Sequence, residues 1–364
     1  MKKKRVAIIG TNGIPARYGG FETLAHYLSK NLNEEFDITV YCSKTPRATR
    51  LKTYNNSKLV YLPLRANGWQ SMLYDFLSIF HAYFKVDILI VLGFSGVFAF
   101  PFKRIFGKKI IFNLGGIEWQ KVRGKKLLSK IEVSMKKWFE RITIRCADEV
   151  VVDNRVLWDY VLEEYNITSN LIEYGGDHVK TNIKTEELIT KYHFLNKQYD
   201  VTVSRAQEDM NIHIVIEAYQ QSPNRTVVII SNWEISDYGI KLKKEHQGKH
   251  PNIILLDAIY DLYELNAIRG NASLYLHTHS LCGTAPSLVE AMYLGLPVVC
   301  YDVETNRATT ENKSYYFTDN LTLIDVLSKI DKQLMLKLGN EMKKIAERRY
   351  TWERIVSLYK KLMD

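Results

Sequence analysis

Val6-Ala7-Ile8-Ile9-Gly10-Thr11-Asn12-Gly13-Ile14-Pro15-Ala16-Arg17-Tyr18-Gly19-Gly20-Phe21-Glu22 begins as a short apolar run, stops at a glycine, crosses a glycine-rich loop and enters a helix near Gly19 or Gly20. A run this short, rich in Val and Ile and closed by a turn residue, reads as a buried strand rather than a helix. Strand, loop and helix in that order form the building unit of a parallel α/β sheet. Glycines let backbone approach an anion closely, and the amides and dipole of a helix start favour negative charge, so the loop is suited to phosphate. The spacing is not G-x-G-x-x-G, and the second strand ends in Tyr41-Cys42 with no carboxylate for a ribose, which disfavours nicotinamide chemistry. A turn needed only for close helix–strand packing is the plainer alternative.

The same alternation continues outward. Strands are expected near 6–10, 37–41, 59–62, 88–92, 109–113, 149–153 and 171–174. A polar stretch over 175–197 then loses the apolar period, and a fresh series follows near 200–204, 226–230, 253–256, 273–277 and 297–301. The expected fold class is therefore α/β with two Rossmann-like domains. A length of 364 residues suits two such domains, and 46% hydrophobic with 25% charged residues supplies two ordinary cores. The expected division is 1–180, 181–345 and a closing segment 346–364. In that last segment Ile355, Val356, Leu358, Tyr359 and Leu362 form the stripe of a helix docking back on the N-terminal domain.

Cys42, Cys146, Cys282 and Cys300 stand singly, with no pair at metal-ligand or redox spacing, so neither a disulfide scaffold nor a zinc site is expected. The apolar run after Met1-Lys2-Lys3-Lys4-Arg5 is too short for a signal-peptide core, so the expected location is cytoplasmic. Between Trp69 and Pro101 the longest apolar region is broken by Asp75, His81, Lys85 and Asp87, and reads as an amphipathic helix followed by a buried strand. The formal charge of +10 is concentrated: 103–145 holds 13 Lys or Arg against three Glu, a surplus equal to the whole excess. Such a patch attracts anionic lipid, nucleic acid or a pyrophosphate-bearing substrate, or is simply a solvated helix face.

A second loop follows a strand and opens a helix: His277-Thr278-His279-Ser280-Leu281-Cys282-Gly283-Thr284-Ala285-Pro286-Ser287-Leu288-Val289-Glu290-Ala291-Met292. Gly283 and Thr284 can offer amides, and Pro286 fits a first helical turn because its missing N–H would be unpaired there. Glu290, about a turn further in, can accept hydrogen bonds from a sugar's hydroxyls, each worth roughly 1.5–3 kcal/mol. Taken alone, a capping or surface Glu is the better explanation.

This stretch closely resembles the donor-binding segment of retaining glycosyltransferase family 4, down to Glu290-Ala291-Met292, Gly295 and Pro297-Val298-Val299. Further segments resemble a narrower bacterial subgroup, the rhamnosyltransferases that build capsule and cell-wall polysaccharides. They are Asn12 to Thr23, Gly116-Ile117-Glu118-Trp119, Tyr174-Gly175-Gly176-Asp177, Asn232-Trp233, Tyr238-Gly239 and Asp302 to Thr310. The family pattern of Glu, seven residues, Glu keeps its second position at Glu290, while Cys282 stands at the first; members of the subgroup resemble one another in lacking that first Glu. Of the Arg and Lys that commonly clamp the donor phosphates, Arg205 is kept and Met210 stands for the Lys. Gly115 replaces an Asp often found before Gly116, and Gln120 and Lys121 follow Trp119.

The resemblance implies the GT-B arrangement, two Rossmann-like domains facing across a cleft. On the donor side it implies Arg205 on the diphosphate, Gly283 and Thr284 supplying amides, His279 and Ser287 beside them, Glu290 on the pentose, and Gly19 and Gly20 closing over the phosphates. Arg205, Glu118 and Glu290 form the implied catalytic set, with Asn113, Glu118, Trp119 and Arg17 on the acceptor side. The departing diphosphate would be stabilised electrostatically, without metal or added cofactor. The implied donor is dTDP-L-rhamnose or a UDP-sugar, and the acceptor a lipid-diphosphate-linked sugar. The 103–145 region would hold the enzyme on the anionic inner face of the plasma membrane.

Three rivals remain: a UDP-hexose transferase of the same family, a nucleotide-sugar epimerase of the same fold, and a basic nucleic-acid-binding protein. No helix-turn-helix, zinc or ribonucleoprotein signature accompanies the charge, so no nucleic-acid partner is expected.

Overall fold

Runs of Val, Ile and Leu buried on both faces become parallel strands, because helices cover each side of the sheet they build. In the first half these are β1 (Arg5–Ile9), β2 (Asp37–Cys42), β3 (Thr53–Tyr54), β4 (Ser57–Tyr61), β5 (Ile88–Leu92), β6 (Lys109–Leu114), β7 (Glu149–Val152) and β8 (Asn170–Leu171). They lie in the order β3-β4-β2-β1-β5-β6-β7-β8. The second half adds β9 (Asp200–Val203), β10 (Val227–Ser231), β11 (Ile253–Asp257), β12 (Leu274–His277), β13 (Val298–Tyr301) and β14 (Tyr315–Phe317), in the order β11-β10-β9-β12-β13-β14. Pairings are parallel in both sheets apart from the β3–β4 hairpin. The expected α/β class with two parallel-sheet domains is what the chain forms.

These coordinates come from a computed structural model that describes residues 3–16, 19–45, 49–66, 68–93, 97–117, 119–120 and 128–364. The chain divides into two units, Met1–Tyr174 with Glu353–Asp364, and Gly175–Trp352. Each has its own core, the first around Ala7, Val91, Phe112 and Val152, the second around Val215, Ile229, Leu276 and Val299.

The division differs from the expected one at two places. Residues 175–180 belong to the second unit: the Gly176 amide donates to the Tyr350 carbonyl at 2.8 Å, and Asp177 accepts the Trp352 N–H at 2.8 Å. The polar stretch beyond them is folded, with a helix Glu186–Lys191 capped by the Thr185 hydroxyl. The closing helix forms but starts later than the expected segment, whose first residues end the preceding helix. Lys332–Arg349 ends where Tyr350 is buried and bonded to the Thr309 carbonyl, and Trp352–Met363 starts on the Asp177 cap. Ile355, Val356 and Tyr359 of this last helix are buried. Tyr359 bonds Asn113 of β6 at 2.6 Å, and Lys4 donates to the Met363 and Asp364 carbonyls.

Strand order turns back between β1 and β5 in the first sheet and between β9 and β12 in the second, and crevices for ligands open at such points beyond the strands' carboxyl ends. Gly10, with φ 91°, sits at the first of them; a Cβ there would fall 2.0 Å from the Leu92 carbonyl oxygen of β5. Only glycine lets the loop leave β1 so close to its neighbour.

Candidate functional site

At the second turning point the loops leaving β9 and β12 are bonded together. Ser280 donates its N–H and its hydroxyl to the Asp209 carbonyl, both at 2.9 Å, and the Asn211 amide donates to the Thr278 carbonyl at 3.0 Å. Asn306, buried on the helix Glu304–Thr309 after β13, donates to the carbonyls of His279 and Tyr301. This lacing presents Arg205, which is exposed, beside His279. The helix Pro286–Tyr293 opens next to them with no side-chain cap. A helix start left uncapped is a ready anion site.

Polar groups lacking partners collect at the same place. Ser204 Oγ, both ring nitrogens of His277, Thr278 Oγ1, His279 Nε2 and Asn306 Oδ1 are buried with no hydrogen-bond partner among the described residues. Each such group costs on the order of 1–3 kcal/mol, so a polar ligand that satisfied several would gain correspondingly. Burial holds the His279 pKa down at about 3, helped by the Arg205 charge. Burial and then His279 hold His277 well below the ordinary imidazole range, with the Asn306 side chain opposing. Both rings are neutral at pH 7, and Arg205 carries the positive charge at this mouth.

Glu290 is engaged more closely than its sequence context shows. Arg269, whose side chain is 1% exposed, donates Nη1–H to Oε2, and His178 Nε2 lies 3.1 Å from Oε1. Burial alone would raise the Glu290 pKa, but the Arg269 charge and the His178 hydrogen bond bring it down to about 2. The carboxylate is thus ionised and fixed. Its oxygens offer about four lone-pair directions, of which Arg269 and His178 take two, and its side chain keeps 14% exposure.

At the first unit's turning point the helix Gly20–Leu32 begins against its own carboxylate: Glu22 Oε1 accepts the Asn12 backbone N–H and side-chain amide, both at 2.9 Å. Gly19 is the N-cap at φ 85°, and a Cβ on it would come 3.1 Å from Glu22 Oε2. Of the acceptor-side residues, Glu118 and Arg17 lie outside the described residues. Trp119 is half-buried, donates its indole N–H to the Tyr160 hydroxyl at 3.1 Å, and has Lys137 Nζ 4.0 Å from its ring centroid. Asn113 requires a correction. It has no exposed surface and its amide is bonded to Tyr359, because the last positions of β6 turn it inward toward the closing helix.

Comparison with known proteins adds to this geometry. Residues 184–352 match the family Glycosyl transferases group 1, and residues 3–177 match DUF1972, a domain of unknown function. No curated protein matches the chain. Among solved structures, sucrose-phosphate synthase from Thermosynechococcus elongatus is 15% identical with a TM-score of 0.83, over 99% of both chains. Anabaena Alr3699/HepE in complex with UDP-glucose is also 15% identical, with a TM-score of 0.74 over 99% of both chains. A protein described as a putative UDP-N-acetylglucosamine 2-epimerase from Listeria monocytogenes is 14% identical, with a TM-score of 0.61 over 100% of this chain and 97% of that one. The fold is GT-B.

The departures from the pattern that the resemblance sets acquire local reasons. Met210 is buried at 1% exposure in the core with Ile212 and Trp233, so its position packs rather than binds. In the first unit Gly115 leaves room for the Phe21 ring, which would lie 2.5 Å from a Cβ at that position. Cys282 brings its sulfur close to the rings of His277 and His279, the three ligand atoms lying within 4.8 Å of one another. Cysteine spacing alone did not suggest that grouping. Its two nitrogens and one sulfur suit a zinc-like ion, whereas the magnesium or manganese that bridge phosphates prefer oxygen ligands. Arg269, His178 and Trp352 escaped the sequence reading. Asp177 and Trp352 did stand in segments already singled out, and that was the available signal.

Proposed function

We propose that the chain transfers a sugar from a nucleoside diphosphate with retention, using the switch point of its second sheet to hold the donor. One set of observations carries the reading: the exposed Arg205, an uncapped helix start and unpartnered buried polar atoms follow the carboxyl ends of β9 and β12, and a fixed carboxylate stands on that helix. Arg205 pairs with the diphosphate, the Gly283–Ser287 segment gives it amides, His279 adds a ring N–H or acceptor, and the free lone pairs of Glu290 take the pentose hydroxyls. Since the departing diphosphate gains negative charge as its bond to the sugar breaks, its stabilisation by Arg205 and the helix start supplies the catalysis, without a metal. The solved relative with bound UDP-glucose supports a nucleotide-sugar donor.

The donor sugar we assign is L-rhamnose from dTDP-rhamnose, on the resemblance of the segments described above, with a lipid-diphosphate-linked sugar as acceptor in surface polysaccharide synthesis. Glu118 and Trp119 would meet the acceptor. Exposed apolar and basic side chains of the first unit support a membrane-side role. Phe84, Phe98, Ile105, Ile131 and Trp138 are exposed large apolar side chains, Ile105 at 76%, with exposed Lys85, Lys130 and Arg141 in the same segments. Near an anionic bilayer each cation contributes roughly 1 kcal/mol. No described helix is long and apolar enough to cross a membrane.

A thermal-shift screen of dTDP-, UDP- and GDP-sugars tests the donor site, since a ligand at a hundred times its dissociation constant stabilises by roughly 2.7 kcal/mol. We expect a shift with dTDP-rhamnose, retained in EDTA, followed by transfer to a polyprenyl-diphosphate-sugar. Absence of a shift with any of the three classes overturns the reading. Interconversion of the donor on its own, with no acceptor, would make the protein an epimerase instead.

A further inference from the structure

We propose that His178, locked in one tautomer by Trp352, is the positioning residue that aims Glu290 at the donor's pentose. The proposal rests on the reading of Glu290 given above. Trp352 donates its indole N–H to His178 Nδ1 at 3.1 Å. An indole nitrogen is a donor only, so Nδ1 must be unprotonated and the ring's proton sits on Nε2. Nε2 lies 3.1 Å from Glu290 Oε1 and donates to it. The His178–Glu290 contact is therefore a hydrogen bond from a neutral ring, on the oxygen that Arg269 does not hold.

A carboxylate with one partner can still turn about its last bond. A second bond from the opposite side fixes its plane, and with it the direction of the remaining lone pairs. Four consecutive residues serve that end. Gly175 makes room for the Trp352 ring, which would lie 2.6 Å from a Cβ there. Gly176 lets the turn approach the helix bearing Glu290, a Cβ at this position falling 2.7 Å from the Val289 carbonyl oxygen. Asp177 accepts the Trp352 backbone N–H at 2.8 Å, and His178 delivers the bond.

The test measures calorimetric binding of UDP, dTDP, ADP and GDP, and separately of inorganic pyrophosphate, to the full chain. Pyrophosphate has no pentose and reads the anion subsite alone. His178→Asn retains an acceptor for Trp352 but cannot reach Glu290, and is expected to weaken the nucleoside diphosphate that the wild type binds by about tenfold, leaving pyrophosphate unchanged. His178→Gln, whose amide nitrogen falls near Nε2, is expected to restore binding to within about threefold. Trp352→Phe keeps the ring and removes only the donor, so a loss of about threefold is expected, again with pyrophosphate unchanged; this variant carries the test if His178→Asn does not fold. Unchanged nucleotide binding in both variants overturns the proposal, as does an equal loss for nucleotide and pyrophosphate, which would mark a purely structural role. A wild type that binds none of the four nucleotides overturns the donor reading itself, and the proposal with it.

Discussion

The two sheets turn back at equivalent places, yet their helix starts are opposites. After β1, Glu22 lies in the first turn and answers the loop's own amides, with both Asn12 donors bound at 2.9 Å. After β12, the helix start has no side-chain cap, and its carboxylate, Glu290, lies a turn further in, held from the far side by Arg269 and His178. Architecture alone therefore does not make an anion site. What decides is whether the chain supplies its own negative charge to the amides or leaves them to a ligand.

The largest contrast is expected in stability. Glu290→Ala strands Arg269, which is 1% exposed, and loss of one partner of a buried pair costs about 3–5 kcal/mol. Glu22→Ala strands only neutral donors on Asn12 and should cost about 1–3 kcal/mol. Urea denaturation of both variants measures the difference, and a larger loss at Glu22 would break the comparison. Ligand binding should separate the two places next. Arg205 is exposed, so Arg205→Ala should change stability by less than about 0.5 kcal/mol while weakening nucleoside diphosphate binding by about 10- to 100-fold.

Proton linkage sharpens the second site further. His279 is held at about 3, below its ordinary 6.5, so the folded chain keeps the ring neutral while the unfolded chain protonates it. Its contribution is complete above 6.5 and is lost as pH falls toward 3. His279→Asn should therefore gain on the wild type between pH 7 and pH 4 in urea midpoints. A constant difference across that range would show that the ring titrates normally.

How much of this the sequence disclosed depends on the range of the interaction. Strands such as β5 and β6 were legible because each is a continuous apolar run, buried throughout or nearly so. β3 and β14 were missed, being short and at sheet edges, although Asn55-Asn56, both at positive φ, make the turn that pairs β3 with β4. Arg205 and Glu290 could be assigned to one mouth because Arg205 follows the end of β9 by two residues and Glu290 stands on the helix that follows β12. The partners of Glu290 could not: Arg269 is 21 positions away, and Trp352 reaches His178 across 174. Asn113 misled because a strand end resembles a crevice wall, and only the closing helix shows which way its side chain turns.

The smallest effect is also the most discriminating, because it concerns a sign. Burial raises the Glu22 pKa above 4.5, with the Asn12 bonds opposing, whereas Glu290 is drawn down from 4.5 to about 2. For Glu290 the folded state binds protons less readily than the unfolded one, so its contribution is present above 4.5 and is lost as pH falls toward 2. For Glu22 the folded state binds them more readily, so ionising it costs stability, a cost absent below 4.5 and complete only above its raised pKa. Glu22→Gln retains an oxygen for Asn12 and removes the buried charge, and should alter stability at pH 7 by no more than about 1 kcal/mol, in the stabilising direction. On acidification from pH 7 to pH 3.5 the wild type should gain on Glu22→Gln and lose ground to Glu290→Gln. If both comparisons run the same way, the first helix start is not satisfied by its own carboxylate, and the distinction between the two turning points fails.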